Sequence, residues 1–373
     1  SLFTLFTSGS TGAPKGVVHS SGGYLIYSKY TCIKQFGMNS ESVVLTASDA
    51  GWINGHTYAL FGPLSLGATS VLLERPMLLL DISFLKNILK CKISVLYLPV
   101  TLIRLIKAIN NNINIKSKYL ITLGSMGEPL ANSIGVWFAK SFNLKKKAII
   151  NTYFQTETCG IIASPKFTDK TTDVPHGCVG SPVSKFIRLS SLTKNKNKEI
   201  QIKSSWPGCM KDIINGKKEW KKYWSKEGYF RMFDLASIKK ANIYIHGRID
   251  DVINIRGHRI GSEEIESTVL QIKEVHECSA VLVDDKLEGA VIVLFIVSKK
   301  QNLDKKIEDK IFSNFGSYAL PKKIYYLSQL PKTRSGKILR RLLRELINSP
   351  ENNNYGDTST MINPNIIKEI QTR

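Results

Sequence analysis

The sequence predicts an α/β protein: a large N-terminal domain of parallel sheets and crossover helices with a small β-barrel-like part, followed by a small α+β C-terminal domain. Three observations predict it. Strand-length apolar runs alternate with helical stretches over roughly the first 150 residues, an order that implies parallel strands joined by crossover helices. From Ile187 to Tyr244 the pattern turns to short apolar runs broken by Gly and Pro, which suits a small barrel or distorted sheet. A charged turn, Gly247-Arg248-Ile249-Asp250-Asp251, then leads into a compact segment of mixed type. The expected division is 1–249, 250–348 and a tail at 349–373.

The first elements are two strand-like runs, Leu2-Phe3-Thr4-Leu5-Phe6 and Gly16-Val17-Val18-His19, on either side of Thr7-Ser8-Gly9-Ser10-Thr11-Gly12-Ala13-Pro14-Lys15. Glycines let a backbone take positive φ and approach a ligand closely. Ser8, Ser10 and Thr11 add hydroxyl donors, and Lys15 adds a compact charge suited to phosphate. Two readings stand side by side: a phosphate cradle joining two strands, or a surface turn of the kind Gly/Ser/Thr clusters often make. The pattern G-x-x-x-x-G-K-[ST] is met neither here nor at Ser335-Gly336-Lys337, which excludes the strand-to-helix phosphate loop. Apolar spacing then predicts strands at 42–46, 69–73, 94–98, 119–123 and 148–151, with helices at 82–90, 99–109 and 132–142 between them. In the last segment Ser262 is expected to cap a helix opening Glu263-Glu264-Ile265-Glu266, whose acids suit the positive dipole end. Strands at 280–283 and 291–298 and a helix at 303–315 come next. A Lys/Arg loop, Leu330-Pro331-Lys332-Thr333-Arg334-Ser335-Gly336-Lys337, precedes a helix with Ile338, Leu342 and Ile347 on one side.

Composition bounds the function classes. A chain of 373 residues, 43% hydrophobic and 22% charged, has the make-up of a soluble globular protein. Its longest apolar run, 290–297, is of strand length, so no membrane span is expected. The chain starts at Ser1 inside a strand-like run, as a fragment of a longer protein would. The six cysteines form no C-x-x-C pair and the six histidines no metal spacing, which points to free thiols in a reducing, cytoplasmic setting; an upstream organellar targeting peptide stays open. His56 and His258 read as structural histidines. The formal charge of +22 attracts polyanions in general, but the lysines are spread among Asn and Ile without aromatic interleaving, so no specific nucleic-acid partner is expected.

Four stretches, Thr7 to Gly16, Tyr153-Phe154-Gln155-Thr156-Glu157-Thr158, Gly247 to Gly261 and Leu330 to Arg341, occur in an order and spacing that resembles the adenylate-forming enzymes, which include acyl-CoA synthetases, luciferase and peptide-synthetase adenylation domains. Asp49-Ala50-Gly51-Trp52-Ile53-Asn54-Gly55-His56-Thr57-Tyr58, Gly124-Ser125-Met126-Gly127-Glu128-Pro129, Ser205-Trp206-Pro207-Gly208 and Gly356-Asp357-Thr358-Ser359-Thr360 are similar to the acetyl-CoA synthetase branch. The resemblance covers nearly the whole chain and implies ATP, acetate and CoA as substrates with Mg²⁺ as cofactor. A carboxylate attacks the α-phosphate to give an acyl-adenylate, and the CoA thiol then displaces AMP. Such chemistry needs charge neutralisation and alignment rather than a protein nucleophile.

The resemblance also implies residue roles. Thr7, Ser8, Gly9, Ser10, Thr11, Gly12 and Lys15 hold the β- and γ-phosphates, and Glu157 helps hold Mg²⁺. Gly127, Glu128 and Pro129 form the adenine wall, and Asn151, Thr152, Tyr153, Phe154, Gln155 and Thr156 continue the nucleotide site. Asp234 and Arg248 contact the ribose, Arg259 a phosphate, and Lys337 bridges substrate carboxylate and α-phosphate. Asp250 is the hinge for a rotation of the small domain that brings Arg256 and Gly257 to the CoA path. Trp52, Ile53, Asn54, Met126 and Phe154 line the acyl pocket. Taken singly, Glu128 or Asp234 reads as a cap or surface carboxylate, Arg248 as a salt-bridge partner and Lys337 as an exposed lysine. Where the acetyl-CoA synthetase branch closes the pocket with Trp, Phe154 gives a smaller floor, while Ile53 and Met126 are bulkier walls, so acetate is expected, with propionate or another short acyl group as the alternative; a bulky aromatic at Phe154 argues against long chains. Several positions depart from the family pattern: Cys159 and Phe233 where Gly is usual, Met232 where a small residue is usual, Asn151 for an acid, and Arg256 for a small residue. Arg256 either meets pantetheine or pairs with a CoA phosphate. These departures keep a catalytically degraded nucleotide-binding member as the rival reading.

Overall fold

A computed structural model describes residues 1–7, 15–49, 51–128, 130–184, 187, 198–214, 216–249, 252–255, 258–285, 289–333, 338–348 and 361–372. The chain divides into two compact units, Ser1–Ile245 and His246–Arg373.

In the first unit the strands Thr69–Val71, Val43–Thr46, Val95–Pro99, Thr122–Met126 and Ile150–Asn151 lie side by side in that order, each parallel to its neighbours. Adjacent residues of one strand serve different cores. Val44, Val95 and Tyr97 join one apolar cluster, and Leu45, Leu96 and Leu98 join another. A parallel sheet buried on both faces needs near-continuous apolar strands, which is the pattern these segments show. The helices Ile82–Ile88, Val100–Ile109 and Asn132–Ser141 bring Leu85, Ile103 and Phe138 to the second cluster. Asp81 caps the first of them by accepting from the backbone N–H of Ser83 at 2.8 Å and Phe84 at 3.3 Å.

A helix at Ser21–Phe36 was not expected. Its buried face is made of Tyr24, Tyr27, Ser28, Thr31, Cys32, Gln35 and Phe36, so polar side chains occupy core positions and apolar periodicity is weak. Gln35 Nε2 donates to the Ser164 and Pro165 carbonyls at 3.1 and 3.2 Å, which offsets the cost of burying the donor end of the amide, while its Oε1 is buried with no hydrogen-bond partner among the described residues. Gly37 ends the helix at φ +69°, and its N–H donates to the Ile33 carbonyl at 3.0 Å, as a left-handed helix terminator does.

The barrel-like part expected between 187 and 244 is not a closed barrel among the described residues. Two three-stranded sheets stand there instead, one of Phe3–Thr7, Lys15–His19 and Asp212–Ile214, the other of Lys198–Ile202, Phe230–Lys239 and Asn242–Arg248. Short strands broken by Gly and Pro look alike in sequence whether or not their edges close, and closure is a property of strand tilt and stagger.

In the second unit Val275–Asp285 pairs antiparallel with Gly289–Ser298, which pairs in parallel with Lys323–Leu327. One face of this sheet packs Ala280, Ile292 and Leu294 against Ile265, Ile307 and Ile311 of the helices Ser262–Val269 and Asp304–Phe315. The other packs Val281, Val293 and Phe295 against Leu342, Leu343, Ile366 and Ile370 of Arg340–Asn348 and Ile366–Gln371. Ser262 does not cap its helix. It is already helical, Gly261 occupies the cap position, and Ser262 Oγ is buried with no hydrogen-bond partner among the described residues. The Glu264 carboxylate accepts from Gly261 N–H at 3.3 Å instead; a side chain three residues on does the work expected of the hydroxyl.

The six cysteines are free: Cys32, Cys159, Cys178 and Cys278 are buried, Cys209 is half-buried and Cys91 is exposed. No described helix is long and apolar enough to cross a membrane.

Candidate active site

In the first unit three groups from distant parts of the chain meet. Glu157, in the short turn Thr156–Thr158, is 7% exposed. Lys15 Nζ, at the head of the strand Lys15–His19, lies 3.0 Å from Glu157 Oε1. Tyr223 OH donates to the same oxygen at 2.5 Å and accepts from Lys15 Nζ. Burial alone would raise the Glu157 carboxyl, but the Lys15 ammonium and the Tyr223 hydroxyl outweigh it and hold the group below its ordinary range. The carboxylate is therefore ionised near pH 7 and paired with the Lys15 ammonium. Thr7 Oγ1 is buried with no hydrogen-bond partner among the described residues, while Ser8, Gly9, Ser10, Thr11 and Gly12 lie outside them. Behind this cluster His19 is buried, its imidazole pulled down to about 4 by loss of hydration, and hence neutral near pH 7. His56 stacks on Phe3 at 4.7 Å.

A second group surrounds Asp234. Its Oδ2 accepts from Tyr153 OH at 2.7 Å and Gln155 Nε2 at 2.6 Å, and Gln155 Nε2 also donates to the Met232 carbonyl at 2.6 Å. The motif Tyr153 to Thr158 thus grips the strand Phe230–Lys239 at the aspartate. Glu128 is held by Arg104 Nη1 at 2.9 Å, from the helix Val100–Ile109, and Gly127 takes φ +89°, which a side chain would resist. Asn151 accepts from Ser125 Oγ at 3.1 Å and donates to the Cys178 carbonyl at 3.0 Å. An acid lacks the second donor, which accounts physically for an amide at this position. Thr152 Oγ1 bonds Tyr97 OH at 2.5 Å.

Ile53, Met126 and Tyr153 belong to one apolar cluster with Phe154 packed against it. Asn54 Nδ2 donates to Met126 Sδ at 2.8 Å, and the Phe154 ring meets Tyr58 edge-on at 5.5 Å. Trp52, which precedes Ile53 in sequence, is half-buried.

Two departures from the family pattern occupy backbone conformations that favour glycine. Phe233 has φ +55°. Cys159 has φ +67° and ψ −56°, and Gly160 N–H donates to the Thr158 carbonyl at 2.8 Å, so Cys159 is the central residue of a strained γ-turn. A buried thiol in such a turn costs of order 1–3 kcal/mol. Cys159→Gly is therefore expected to be more stable than Cys159→Ala by about 1 kcal/mol, reversing the usual order of the two residues; urea unfolding of both variants checks it, and Ala above Gly would contradict the strain.

In the second unit Arg248 ends the strand Asn242–Arg248, and Arg259 stands opposite Asn254 in the hairpin of Val252–Ile255 and His258–Gly261. Glu266, 6% exposed, takes a two-pronged pair from Arg340 at 3.0 and 2.6 Å, and Lys332 Nζ meets Glu277 at 2.6 Å. Pro129, Asp250, Arg256, Gly257 and Lys337 lie outside the described residues. Tyr223 and Arg104 escaped the sequence reading. The signal for Tyr223 was thin, an aromatic among lysines in Trp220-Lys221-Lys222-Tyr223-Trp224.

The sequence and the fold both have counterparts among known proteins. The family model described as AMP-binding enzyme matches residues 1–199, and that described as AMP-binding enzyme C-terminal domain matches residues 264–337. The chain is 32% identical to acetyl-coenzyme A synthetase 1 of Kluyveromyces lactis, covering 99% of this chain and 56% of that protein. It is 37% identical to acetyl-coenzyme A synthetase of Herminiimonas arsenicoxydans, covering 99% of this chain and 60% of the relative. The chain thus spans a little over half the length of these curated relatives. Among solved structures, an anthranilate CoA ligase in complex with anthranoyl-AMP superposes with TM-score 0.81 at 20% identity, over 92% of this chain and 67% of that one. A benzoate CoA ligase from Burkholderia xenovorans LB400 does so with TM-score 0.78 at 22% identity, over 92% and 68%. Those likenesses show the same fold. With the first family model alone spanning more than half of its length, the chain belongs to the AMP-binding enzyme family.

Proposed function

We propose that this chain carries the nucleotide and acyl sites of an AMP-forming acetate–CoA ligase. In the first half-reaction an acetate oxygen attacks the α-phosphorus of ATP and the bond to the bridging oxygen breaks, giving acetyl-adenylate and pyrophosphate. In the second the CoA thiol attacks the acetyl carbon, AMP leaves and the thiol proton is released. Lys15 is the cation for the outer phosphates, Asp234 accepts from ribose hydroxyls, and Gly127 and Glu128 face the adenine. Lys337 supplies the charge between acetate and α-phosphate, with Arg248 and Arg259 as ribose and phosphate contacts.

Magnesium fits this donor set: Glu157 is an ionised, buried carboxylate, and Mg²⁺ is commonly held by one or two carboxylates with substrate phosphates and water completing its shell. The ion would neutralise phosphate charge. Glu157 is the residue that would hold it, and Lys15 must then exchange its bond to Glu157 for phosphate oxygens.

The observation that carries the acetate reading is the packing of Phe154 against the cluster that holds Ile53 and Met126, which leaves an aromatic wall beside the Asp234 contacts and supports a short acyl group. Phe154→Gly is expected to shift the chain-length profile toward medium-chain acids, with each accommodated methylene changing selectivity by about 1–3 kcal/mol. Competition between acetate and hexanoate measures it, and an unchanged profile would remove Phe154 from the pocket. The reading as a whole is tested by acetate-dependent ATP–pyrophosphate exchange in the full-length protein. Retained AMP binding without exchange would favour the nucleotide-binding rival, for which the strained Cys159 and Phe233 are the motivating observations.

A further inference from the structure

Tyr223 has no role in the site as the resemblance assigns it, yet its hydroxyl sits where the two charged groups of the phosphate region meet. The hydroxyl donates to Glu157 Oε1 at 2.5 Å and accepts from Lys15 Nζ, while Lys15 and Glu157 are themselves 3.0 Å apart. A phenol can do both at once because it carries one donor and acceptor lone pairs. Its ring is fixed from the strand Phe230–Lys239, which also carries Asp234: Phe230 stacks on it at 5.5 Å and Phe233 meets it edge-on at 5.3 Å. Arg231 N–H donates to the Tyr223 carbonyl at 2.8 Å, and the residue is 4% exposed. Lysine is a flexible four-carbon stem whose charge alone does not fix its direction, and a buried carboxylate left short of donors is costly.

We propose that Tyr223 is a positioning residue that sets Lys15 and Glu157 for the outer phosphates of magnesium-bound ATP. The inference rests on the reading of Lys15 and Glu157 as the phosphate and metal groups. When Lys15 turns to phosphate, the Tyr223 hydroxyl remains on Glu157 and keeps one of its oxygens oriented and ionised, so the carboxylate never stands alone in a buried setting. The aromatic contacts to Phe230 and Phe233 make this placement independent of the nucleotide.

The test is Tyr223→Phe in the full-length protein, which keeps the ring and removes only the hydroxyl. Calorimetric binding is measured for MgATP and, separately, for AMP, which lacks the β- and γ-phosphates. The expected result is a weakening of MgATP binding by about tenfold, in line with loss of a hydrogen bond to a charged group, with AMP binding changed less than about twofold on the same scale. Equal weakening of both ligands, as a general loss of packing would give, overturns the proposal, and so does MgATP binding that is unchanged. Both titrations run without acetate. If the unaltered protein binds MgATP but shows no acetate-dependent exchange, the acetate reading fails and the Tyr223 result still stands on its own.

Discussion

Lys337→Ala is expected to lower acetate-dependent ATP–pyrophosphate exchange by about 10²- to 10³-fold, the usual loss when a preorganised charge aimed at developing negative charge is removed. The same variant is expected to convert preformed acetyl-adenylate and CoA to acetyl-CoA at close to the unaltered rate. The asymmetry follows from the chemistry of the two steps. Bringing an acetate anion to a polyphosphate sets two negative charges within about 4 Å, a repulsion of roughly 4 kcal/mol at an effective dielectric of 20, and one ammonium between them reverses its sign. Thiol attack on a neutral acetyl carbonyl has no such demand. Lys337→Arg is not expected to rescue adenylation, because a planar guanidinium does not fit between crowded oxygens as a compact ammonium does. Among the described residues nearest to it in sequence, Lys332 pairs with Glu277 and Arg340 with Glu266. A parallel fall of both half-reactions would assign Lys337 to folding rather than to adenylation.

The second large effect concerns Glu157. Glu157→Gln keeps the shape and removes the charge, and it places an amide donor against the Lys15 ammonium and the Tyr223 hydroxyl, both of which donate to that position now. Adenylation is expected to fall by about 10²-fold, with the magnesium concentration for half-maximal exchange rising at least tenfold. Because Lys15 is only partly buried, the loss of stability is expected to stay near 1–2 kcal/mol, below the cost of breaking a fully buried pair. A magnesium titration of exchange, beside thermal unfolding of the same samples, separates the two effects. A magnesium requirement identical to that of the unaltered protein would exclude Glu157 as the metal group.

The parallel sheet was legible because its strands are buried on both faces and so read as apolar runs, as in Val95 to Leu98. The helix Ser21–Phe36 was not, since Ser28, Thr31 and Gln35 occupy its buried face: the two hydroxyls donate to carbonyls one turn back, and the Gln35 amide donates to carbonyls 129 and 130 positions away, which sequence spacing does not reveal. The nucleotide motifs named Glu157, Asp234 and Glu128 as site residues, but their holders are remote: Tyr223 lies 66 positions from Glu157, and Arg104 lies 24 from Glu128. Local pattern carries a residue's type and not its partners. The Ser262 reading failed for a related reason: a hydroxyl at a helix start looks like a cap, but Glu264 reaches Gly261 N–H first and the chain turns one residue earlier.

The distribution of thiols has a practical outcome. A thiol reagent needs both access and a thiolate, and burial denies both to Cys32 and Cys159, while loss of hydration lifts Cys209 to about 12. Cys91, exposed at the end of the turn Leu89–Cys91, is left as the preferred attachment point. Among the cysteines of this chain, a maleimide fluorophore should therefore mark Cys91 first, giving a spectroscopic handle far in sequence from the Lys15, Glu157 and Asp234 groups.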